Sequence, residues 1–230
     1  MTLNTLNKPP LGSWDLSLAA CIDHTLLRAD AEVKDIEQLC SEAKIWRLAA
    51  VCINPSFVAL AAQLLQGAGP VVCSVIGFPL GAHTTEIKIF EAAQAIEQGA
   101  MELDVVLNIG ALKARQIGLV ASELAGLRRV AMGITLKLIL ETCALTPDEI
   151  VLACKLASEA GFEFVKTSTG FGSHGATIEH VALMKASIPQ LMQVKASGGI
   201  KDRSKALELV AAGATRLGSS QSWQLIQFGS

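Results

Sequence analysis

The stretch Phe162-Glu163-Phe164-Val165-Lys166 is followed by a helical run over 177–187 and then by Met192-Gln193-Val194-Lys195. The two short runs are rich in β-forming residues, and a helix between them makes a strand–helix–strand unit. Such a crossover joins parallel strands. Each of the two strands ends in a lysine, and serine or threonine and then glycine follow both lysines. One stretch therefore indicates both the architecture and a candidate site.

The same unit repeats along the chain. Eight strands are predicted, at 20–22, 49–53, 71–76, 102–107, 136–140, 162–166, 192–195 and 215–217. Helices are predicted between them, near 32–45, 55–66, 85–98, 115–131, 147–160, 177–187 and 203–212. This pattern predicts an α/β fold, a single (β/α)8 TIM barrel over 13–230. Residues 1–12 are polar and contain Pro9-Pro10, which predicts a loose N-terminal arm. The alternative is an open doubly wound sheet, but no G-x-G-x-x-G follows the first strand.

Composition narrows the classes of function. The chain is 51% hydrophobic and only 4% aromatic, so its core is built from small aliphatic residues, as in buried parallel sheets. The net charge of −2 gives no basic excess for nucleic acid or an anionic membrane. Any anion site must therefore be local. The long uncharged segment from Leu48 to Ala82 is cut by Pro55, Gly67 and Pro79 into pieces too short to span a bilayer.

Cysteine and histidine usage predicts no metal site and no cofactor. The six cysteines are scattered without a C-x-x-C motif, and no two of the four histidines have a metal-ligand spacing. Scattered cysteines in apolar stretches are typical of reduced, buried thiols. The N-terminus lacks a cationic start followed by an apolar run, so no signal peptide is expected. We therefore expect a cytoplasmic protein.

Charged residues interrupt or end the apolar strands. Asp23 follows the first predicted strand, Asp104 lies in the fourth, Lys137 in the fifth, and Lys166 and Lys195 end the sixth and seventh. Buried charges cost several kcal/mol unless they are paired. Three lysines with one aspartate should repel one another, so at least one lysine should have a depressed pKa. A deprotonated lysine is a nucleophile that forms Schiff bases. Lys166 is the candidate amine, although a single lysine at a strand end is usually a solvated side chain.

Glycine and serine follow the last two predicted strands. Ser197-Gly198-Gly199-Ile200 follows the seventh strand, and Gly218-Ser219-Ser220 follows the eighth. In a barrel these two loops commonly bind phosphate through backbone N–H groups. Either motif alone is explained equally well by a turn. Both motifs, in the two expected loops, predict a phosphate site.

Seven motifs in chain order resemble the class I, metal-independent deoxyribose-phosphate aldolase family. They run from about residue 20 to 220 and are Ile22-Asp23-His24-Thr25-Leu26, Val51-Cys52-Ile53-Asn54-Pro55, Val75-Ile76-Gly77-Phe78-Pro79, Glu102-Leu103-Asp104-Val105-Val106, Leu136-Lys137-Leu138-Ile139-Leu140-Glu141-Thr142, Val165-Lys166-Thr167-Ser168-Thr169-Gly170-Phe171 and Val194-Lys195-Ala196-Ser197-Gly198-Gly199-Ile200. The resemblance implies a lyase that reversibly cleaves 2-deoxy-D-ribose 5-phosphate to D-glyceraldehyde 3-phosphate and acetaldehyde.

The resemblance also implies roles for individual residues. Lys166 would form the Schiff base, Lys195 would lower its pKa, and Asp104 would move protons through water. Lys137 and Asp23 would support that network. The phosphate would bind at residues of the strand-end loops: Gly170, Gly198, Gly199, Ser219 and Ser220. The expected partners are the small sugar phosphate and acetaldehyde, without nucleic acid or membrane, and the chain could form a homodimer or homotetramer.

Two departures and two rival functions accompany the resemblance. The family often has a C-terminal tail ending in tyrosine, whereas this sequence contains no tyrosine, so slower enamine protonation is expected. Lys201 stands where the family often has arginine, which keeps the charge but loses a two-pronged phosphate contact. One rival is another Schiff-base aldolase, transaldolase-like or acting on a ketose phosphate. The other is a barrel that binds a sugar phosphate without catalysis.

Overall fold

The computed structural model describes residues 14–228, and its sheet is a closed barrel of eight parallel strands in the order β1 to β8. The predicted arm at 1–12 lies outside the described residues. The predicted (β/α)8 barrel is confirmed, and the open doubly wound sheet is excluded. The strands are β1 Ile22–Leu26, β2 Ala50–Ile53, β3 Val71–Ile76, β4 Glu102–Val106, β5 Thr135–Ile139, β6 Phe164–Lys166, β7 Gln193–Ser197 and β8 Arg216–Ser219.

Helices connect the strands and cover the outside of the barrel. They are α1 Leu16–Ala19, α2 Val33–Trp46, α3 Val58–Leu64, α4 Thr85–Glu97, α5 Ile109–Lys113, α6 Ile117–Val130, α7 Pro147–Glu159, α8 Ile178–Ala186, α9 Arg203–Ala211 and α10 Ser222–Ile226. The local sequence explains where α7 begins. Thr146 and Glu149 form a capping box around Pro147 at its first turn. Among the described residues, no helix is both long and apolar enough to cross a membrane.

The predicted end of the first strand is wrong, and the short helices α1, α5 and α10 were not predicted. The prediction ended this strand at Ile22 and put Asp23 after it, whereas β1 continues to Leu26 and Asp23 lies within it. The polar Asp23-His24-Thr25 triplet suggested a strand end, but Asp23 and His24 are buried within the strand, where Asp23 pairs with Lys195 and His24 with Glu42. Ser197 and Ser219, which were expected just after their strands, are the last residues of β7 and β8.

Alternation along each strand separates two environments. In β4 the side chains of Leu103 and Val105 belong to the apolar core between strands and helices, whereas Asp104 lies between them in the sequence and is fully buried inside the barrel. The apolar core between strands and helices is larger than the barrel interior and includes Ile36 of α2 and Leu124 of α6. It holds the helices on the strands, so the polar barrel interior is enclosed by a hydrophobic shell.

Candidate active site

The barrel interior is lined by charged side chains from neighbouring strands. Parallel pairing aligns Asp104 with Lys137 across β4 and β5, and Lys166 with Lys195 across β6 and β7. All four side chains are buried, with at most 2% of Lys166 exposed. Asp23 of β1 completes the set that the sequence predicted. The closed barrel therefore brings the five candidate residues together, although they are far apart in the chain.

Asp104 is the centre of this cluster. Its Oδ2 accepts hydrogen bonds from Lys166 Nζ and from Lys195 Nζ, both at 2.7 Å. Its Oδ1 accepts a hydrogen bond from Lys137 Nζ at 2.9 Å. Lys195 also donates to the carboxylate of Asp23. The amines of Lys166 and Lys195 thus share one carboxylate oxygen, which places the candidate nucleophile beside a second ammonium.

Two charged residues that the sequence analysis did not single out complete the cluster. Glu102 Oε2 lies 2.5 Å from Lys137 Nζ, and Arg216 bridges Glu102 at 3.2 Å and Asp23 Oδ1 at 2.7 Å. The alternation of strand faces could have revealed Glu102, because it lies two residues before Asp104 and so points the same way. Among residues 14–228, the interior then holds four cations, Lys137, Lys166, Lys195 and Arg216, and three carboxylates.

The carboxylates change the expected electrostatics. Burial alone would lower the pKa of Lys195, but Asp104 and Asp23 outweigh burial and raise it well above its usual value. Burial works in the same direction on Lys137, and Asp104 again reverses it, so the pKa of Lys137 is raised. The expectation that at least one of the three lysines has a depressed pKa stays a prediction, because repulsion is outweighed at these two. It counted one aspartate, whereas Asp23 and Glu102 also supply negative charge.

Aspartate ionisation is favoured by the same contacts. Burial alone would raise the pKa of Asp23, but Lys195, Lys137 and Arg216 outweigh it and lower the pKa to about 2. For Asp104, burial is likewise outweighed by Lys137, Lys166 and Lys195, which hold its pKa well below the usual range. Both carboxylates are therefore charged at neutral pH and able to accept protons only transiently, while a reaction is under way.

Two buried thiols lie against the cluster. Cys73 Sγ is 3.1 Å from Asp104 Oδ1, and Cys52 Sγ is 3.8 Å from Asp104 Oδ2. Two thiols and a carboxylate could in principle hold a metal ion. Lys137 Nζ, however, lies 3.4 Å from Cys73 Sγ and 2.9 Å from Asp104, so an ammonium supplies the positive charge at these ligand atoms. The arrangement suits amine chemistry rather than metal binding.

A cavity of about 190 Å³ opens above the lysine cluster at the carboxyl ends of the strands. Lys166 lies at its base, and Thr169 and Lys201 line its wall. All five residues predicted to bind phosphate also line it: Gly170, Gly198, Gly199, Ser219 and Ser220. The structure thus places the candidate amine and the candidate phosphate loops around one cavity, as the sequence predicted.

The candidate phosphate loop after β7 has a backbone that only glycine adopts readily. Gly198 and Gly199 both have positive φ, at +86° and +73°, and a Cβ on Gly198 would come within 2.9 Å of Gly175 Cα. Ser219 Oγ donates to the carbonyl of Ile200 at 2.8 Å and accepts from Gln221 N at 3.0 Å. The loop after β8 is therefore tied to the loop after β7, so the two form one continuous wall.

A further buried carboxylate supports the loop after Lys166. Glu141, just beyond β5, accepts hydrogen bonds from the N–H and the hydroxyl of Thr169. Its backbone is left-handed, with φ of 56°, which is uncommon for a residue with a side chain. No local pattern predicts this contact, because the left-handed turn that aims Glu141 at Thr169 depends on the packing of β5 against β6.

Comparison with known proteins places this geometry in a family. The DeoC/LacD family aldolase model matches residues 17–220. A deoxyribose-phosphate aldolase of Carboxydothermus hydrogenoformans is 50% identical over 214 residues, covering 91% of this chain and 94% of the relative. One from a Geobacillus species is 50% identical over 212 residues, covering 92% and 95%. The chain belongs to the deoxyribose-phosphate aldolase family.

Solved structures agree with this membership. The tetrameric deoxyribose phosphate aldolase of Aeropyrum pernix aligns with a TM-score of 0.85 at 34% identity, covering 90% of this chain and 88% of that one. The aldolase QR15 aligns with a TM-score of 0.87 at 39% identity, covering 90% and 93%. The family predicted from the motifs is confirmed, and this deoxyribose-phosphate aldolase family member is a lyase on a (β/α)8 barrel. The roles of individual residues stay predictions.

Proposed function

We propose that the enzyme reversibly cleaves 2-deoxy-D-ribose 5-phosphate to D-glyceraldehyde 3-phosphate and acetaldehyde through a Schiff base at Lys166. One observation carries the proposal: Lys166 lies at the base of the cavity whose far wall is formed by the glycine–serine loops. A sugar phosphate anchored at that wall would hold its aldehyde carbon within reach of the amine. Such positioning turns an encounter between two molecules into a reaction within one complex.

Lys166 is the amine that gives up its proton with the smallest loss of ion pairing. Within residues 14–228, it has one carboxylate contact, to Asp104 at 2.7 Å. Lys195 has two such contacts, and Lys137 has three, to Asp23, Glu102 and Asp104. Because four cations face three carboxylates, one proton can leave the interior without leaving a carboxylate unbalanced. Lys166 is also the lysine of this cluster that lines the cavity.

The reaction then follows from the imine. The Lys166 amine adds to the C1 aldehyde and water leaves, which forms the Schiff base. Loss of a proton from the C3 hydroxyl breaks the C2–C3 bond, and C3 becomes the aldehyde of glyceraldehyde 3-phosphate. The electron pair moves into the imine and forms an enamine, which is protonated at C2. Hydrolysis of the resulting imine releases acetaldehyde and regenerates the Lys166 amine.

Asp104 and Lys195 are the residues we propose for the proton transfers. Asp104 contacts the Lys166 amine directly, and Lys195 donates to the same oxygen of Asp104 at 2.7 Å. A carboxylate and an ammonium that share a hydrogen bond can accept and return protons through a bound water. Lys137 and Asp23 hold this pair in place through contacts to Asp104 and Lys195.

The phosphate is proposed to bind where the loops after β6, β7 and β8 meet. Gly170, Gly198 and Gly199 would offer backbone N–H groups, and Ser219 and Ser220 would add backbone and hydroxyl donors. Lys201 lines the same wall and would add a positive charge. The phosphate would then contribute binding energy at a distance from the reacting carbons.

Reductive trapping tests the proposal directly. Borohydride added with acetaldehyde should ethylate Lys166, and peptide mass spectrometry should locate the label there. Lys155→Ala, on the exposed face of α7, serves as the control and should be labelled like the wild type. Labelling of another lysine instead, in a preparation that cleaves the substrate, contradicts the assignment. Cleavage that persists in Lys166→Ala contradicts it as well.

Substrate assays separate the rival functions. Release of acetaldehyde from deoxyribose 5-phosphate is expected of the proposed enzyme, whereas a transaldolase-like or ketose-phosphate aldolase would release another product. A barrel that only binds would bind the sugar phosphate without forming the trapped imine. The presence of Lys166, Lys195 and Asp104 together argues against a binding-only protein. These residues concentrate buried charge that binding alone does not require.

Three broader features complete the proposal. We propose a cytoplasmic enzyme, since all six cysteines are free and four of them are buried, as suits a reducing compartment. We propose one catalytic domain over 13–230, with 1–12 as an arm. A homodimer or homotetramer fits the tetrameric Aeropyrum pernix relative. Size-exclusion chromatography with light scattering measures the last of these.

A further inference from the structure

His24 lies directly beside the active-site network but faces away from it. Along β1, Asp23 points into the barrel, where its carboxylate bonds Lys195 and Arg216. The next residue, His24, therefore points outward, between α2 and α10. Only 4% of His24 is exposed. A buried histidine at the third residue of β1 takes no part in the reaction described above, so its contacts need a separate explanation.

Both ring nitrogens of His24 are hydrogen bonded. Nε2 lies 2.8 Å from Glu42 Oε2 of α2, and Nδ1 lies 2.8 Å from Ser222 Oγ at the start of α10. Burial works to raise the pKa of Glu42, but hydrogen bonds from His24 and Gln38 outweigh burial and lower it. Glu42 is thus an ionised carboxylate, which can only accept. Nε2 therefore donates to Glu42, and Nδ1 is hydrogen bonded to the Ser222 hydroxyl.

Ser222 directly follows the last strand-end loop and is the first residue of α10. The loop consists of Ser219, Ser220 and Gln221, all of which line the cavity above Lys166. Its first residue is fixed by the hydrogen bond from Ser219 Oγ to the Ile200 carbonyl. Its far end is fixed by Ser222, which is fully buried and bonded to His24. The loop is thus held at both ends, once by the neighbouring loop and once by His24.

Aromatic packing keeps the histidine ring in this orientation. The ring centroid of His24 is 5.6 Å from that of Trp46, and Trp46 is 5.6 Å from Trp223, the residue after Ser222. The ring therefore packs against Trp46 of α2. It is linked to α10 by its bond to Ser222 and by the contact between Trp46 and Trp223. A shift of the His24 ring would move the start of α10 and, with it, the end of the loop.

We propose that His24 is a positioning residue for substrate phosphate: through Ser222 it fixes the loop Ser219–Gln221 in the geometry that receives the anion. The inference rests on the proposed function, because it assumes that this loop binds the phosphate. His24 does not touch the substrate. Its contribution is to hold backbone N–H groups in place before the anion arrives, so that binding does not have to order the loop.

The positioning role predicts a selective kinetic defect. In His24→Gln, the amide reaches the place of Nε2, keeps the contact to Glu42 and loses the contact to Ser222. We expect KM for deoxyribose 5-phosphate to rise about tenfold, the size expected for one lost hydrogen bond, with a much smaller change in kcat. Cleavage of unphosphorylated deoxyribose should change far less. Inorganic phosphate, used as a competitive inhibitor of that cleavage, should bind more weakly by the same factor.

The matched variant His24→Asn keeps the contact that His24→Gln loses. Its amide lies near the place of Nδ1, so it keeps the bond to Ser222 and loses the bond to Glu42. The positioning role predicts a smaller phosphate defect in His24→Asn than in His24→Gln. Ser222→Ala, which removes only a hydroxyl, should reproduce the defect of His24→Gln even if the histidine variants fold poorly. His180→Gln, on α8, is the control histidine and should leave both substrates unaffected.

Several results would overturn the inference. Equal losses on phosphorylated and unphosphorylated substrate, or equal defects in the two His24 variants, would reduce His24 to a structural residue. Unchanged phosphate inhibition in Ser222→Ala would do the same. If the wild type itself does not prefer the phosphorylated sugar, the proposed phosphate site fails together with this inference. If the preference is present and Lys166 is trapped normally, but the variants keep the preference, the inference fails alone.

Discussion

Two buried lysines of this barrel, Lys88 and Lys166, have opposite surroundings. Lys88 of α4 is fully buried, and its Nζ donates to Glu123 Oε1 at 2.7 Å and to the Val106 carbonyl at 2.9 Å. Lys166 is 2% exposed and shares Asp104 with two other lysines. Lys88 is thus balanced by its own carboxylate, outside the barrel. Lys166 belongs to an interior in which cations outnumber carboxylates.

The comparison shows that burial of a lysine does not by itself indicate catalysis. Burial lowers the pKa of Lys88 from its usual value, although Glu123 opposes this. A low pKa without access to a cavity has no chemical use, and Lys88 lines none of the cavity above the cluster. Surplus charge and access distinguish Lys166. The two lysines should therefore respond to the same substitution in opposite ways.

The largest effect is expected for Lys166→Met, which should reduce cleavage of deoxyribose 5-phosphate to background. The protein should nevertheless be as stable as the wild type or more stable. Asp104 keeps Lys137 and Lys195 as partners, and one surplus buried charge is removed. Steady-state activity and urea unfolding measure the two halves of the prediction. A loss of several kcal/mol in the free energy of unfolding would show that Lys166 is a structural cation after all.

Lys88→Met should do the reverse. It leaves Glu123 buried without its ammonium, and breaking a buried pair in this way costs about 3–5 kcal/mol. The folded fraction should still trap acetaldehyde at Lys166. In the double variant Lys88→Met/Glu123→Met, most of the stability should return, because no uncompensated charge is left. Equal stability of Lys88→Met and the wild type would remove the structural half of the comparison.

These two lysines also show what the sequence can and cannot predict. Lys166, Lys195 and Asp104 were found because a charge inside an apolar strand is conspicuous, and alternating strand and helix patterns identify the barrel. Lys88 lies in an amphipathic helix, where a lysine is usually solvated. Its burial depends on Glu123, which is 35 residues further along the chain. Such a pairing exists only once α4 packs against α6, so no local pattern reveals it.

The electrostatics of the interior were missed for a similar reason. The lysines and Asp104 were recognised, but the balance of charge depends on Asp23, Glu102 and Arg216, which come from three different strands. Asp23 was expected to follow β1, so the count of interior charges from the strand pattern left it out, although the family resemblance implied a supporting role for it. Strand register fixes which side chains meet, and a shift of a few residues in one predicted strand is enough to miscount the charges.

The acid stability of the interior is the third way to test the comparison. The pKa of Asp23 is about 2 in the folded protein, below its value in an unfolded chain near 4. This carboxylate therefore adds stability above about pH 4, and its contribution, roughly 2 kcal/mol, is lost as the pH falls from about 4 to 2. Asp23→Asn should be less stable at pH 7 because Lys195 and Arg216 lose a partner. Its free energy of unfolding should fall less steeply below pH 4.

Urea unfolding between pH 5 and pH 2.5 gives that slope for both proteins. Asp104, the second aspartate of the cluster, also has a lowered pKa and keeps part of the slope in the variant. The quantity to compare is therefore the difference between the two slopes. Parallel curves would mean that Asp23 does not carry the ionic contribution that its contacts to Lys195, Lys137 and Arg216 suggest.

The smallest effect is expected at the surface, where an ion pair resembles that of Lys88 only in joining a lysine to a glutamate. Lys155 Nζ lies 3.8 Å from Glu159 Oε1 one turn along α7, and both side chains are more than half exposed. Water solvates either charge when the other is removed, so Lys155→Ala should change the free energy of unfolding by less than about 0.5 kcal/mol. Urea unfolding at low and high salt measures this change. A loss as large as that of Lys88→Met would mean that the charge of a lysine matters more than its burial. The expected loss of stability is instead large for Lys88→Met, small for Lys155→Ala, and zero or negative for Lys166→Met. The cost of losing a lysine then depends on whether its partner carboxylate is left buried without a counter-charge.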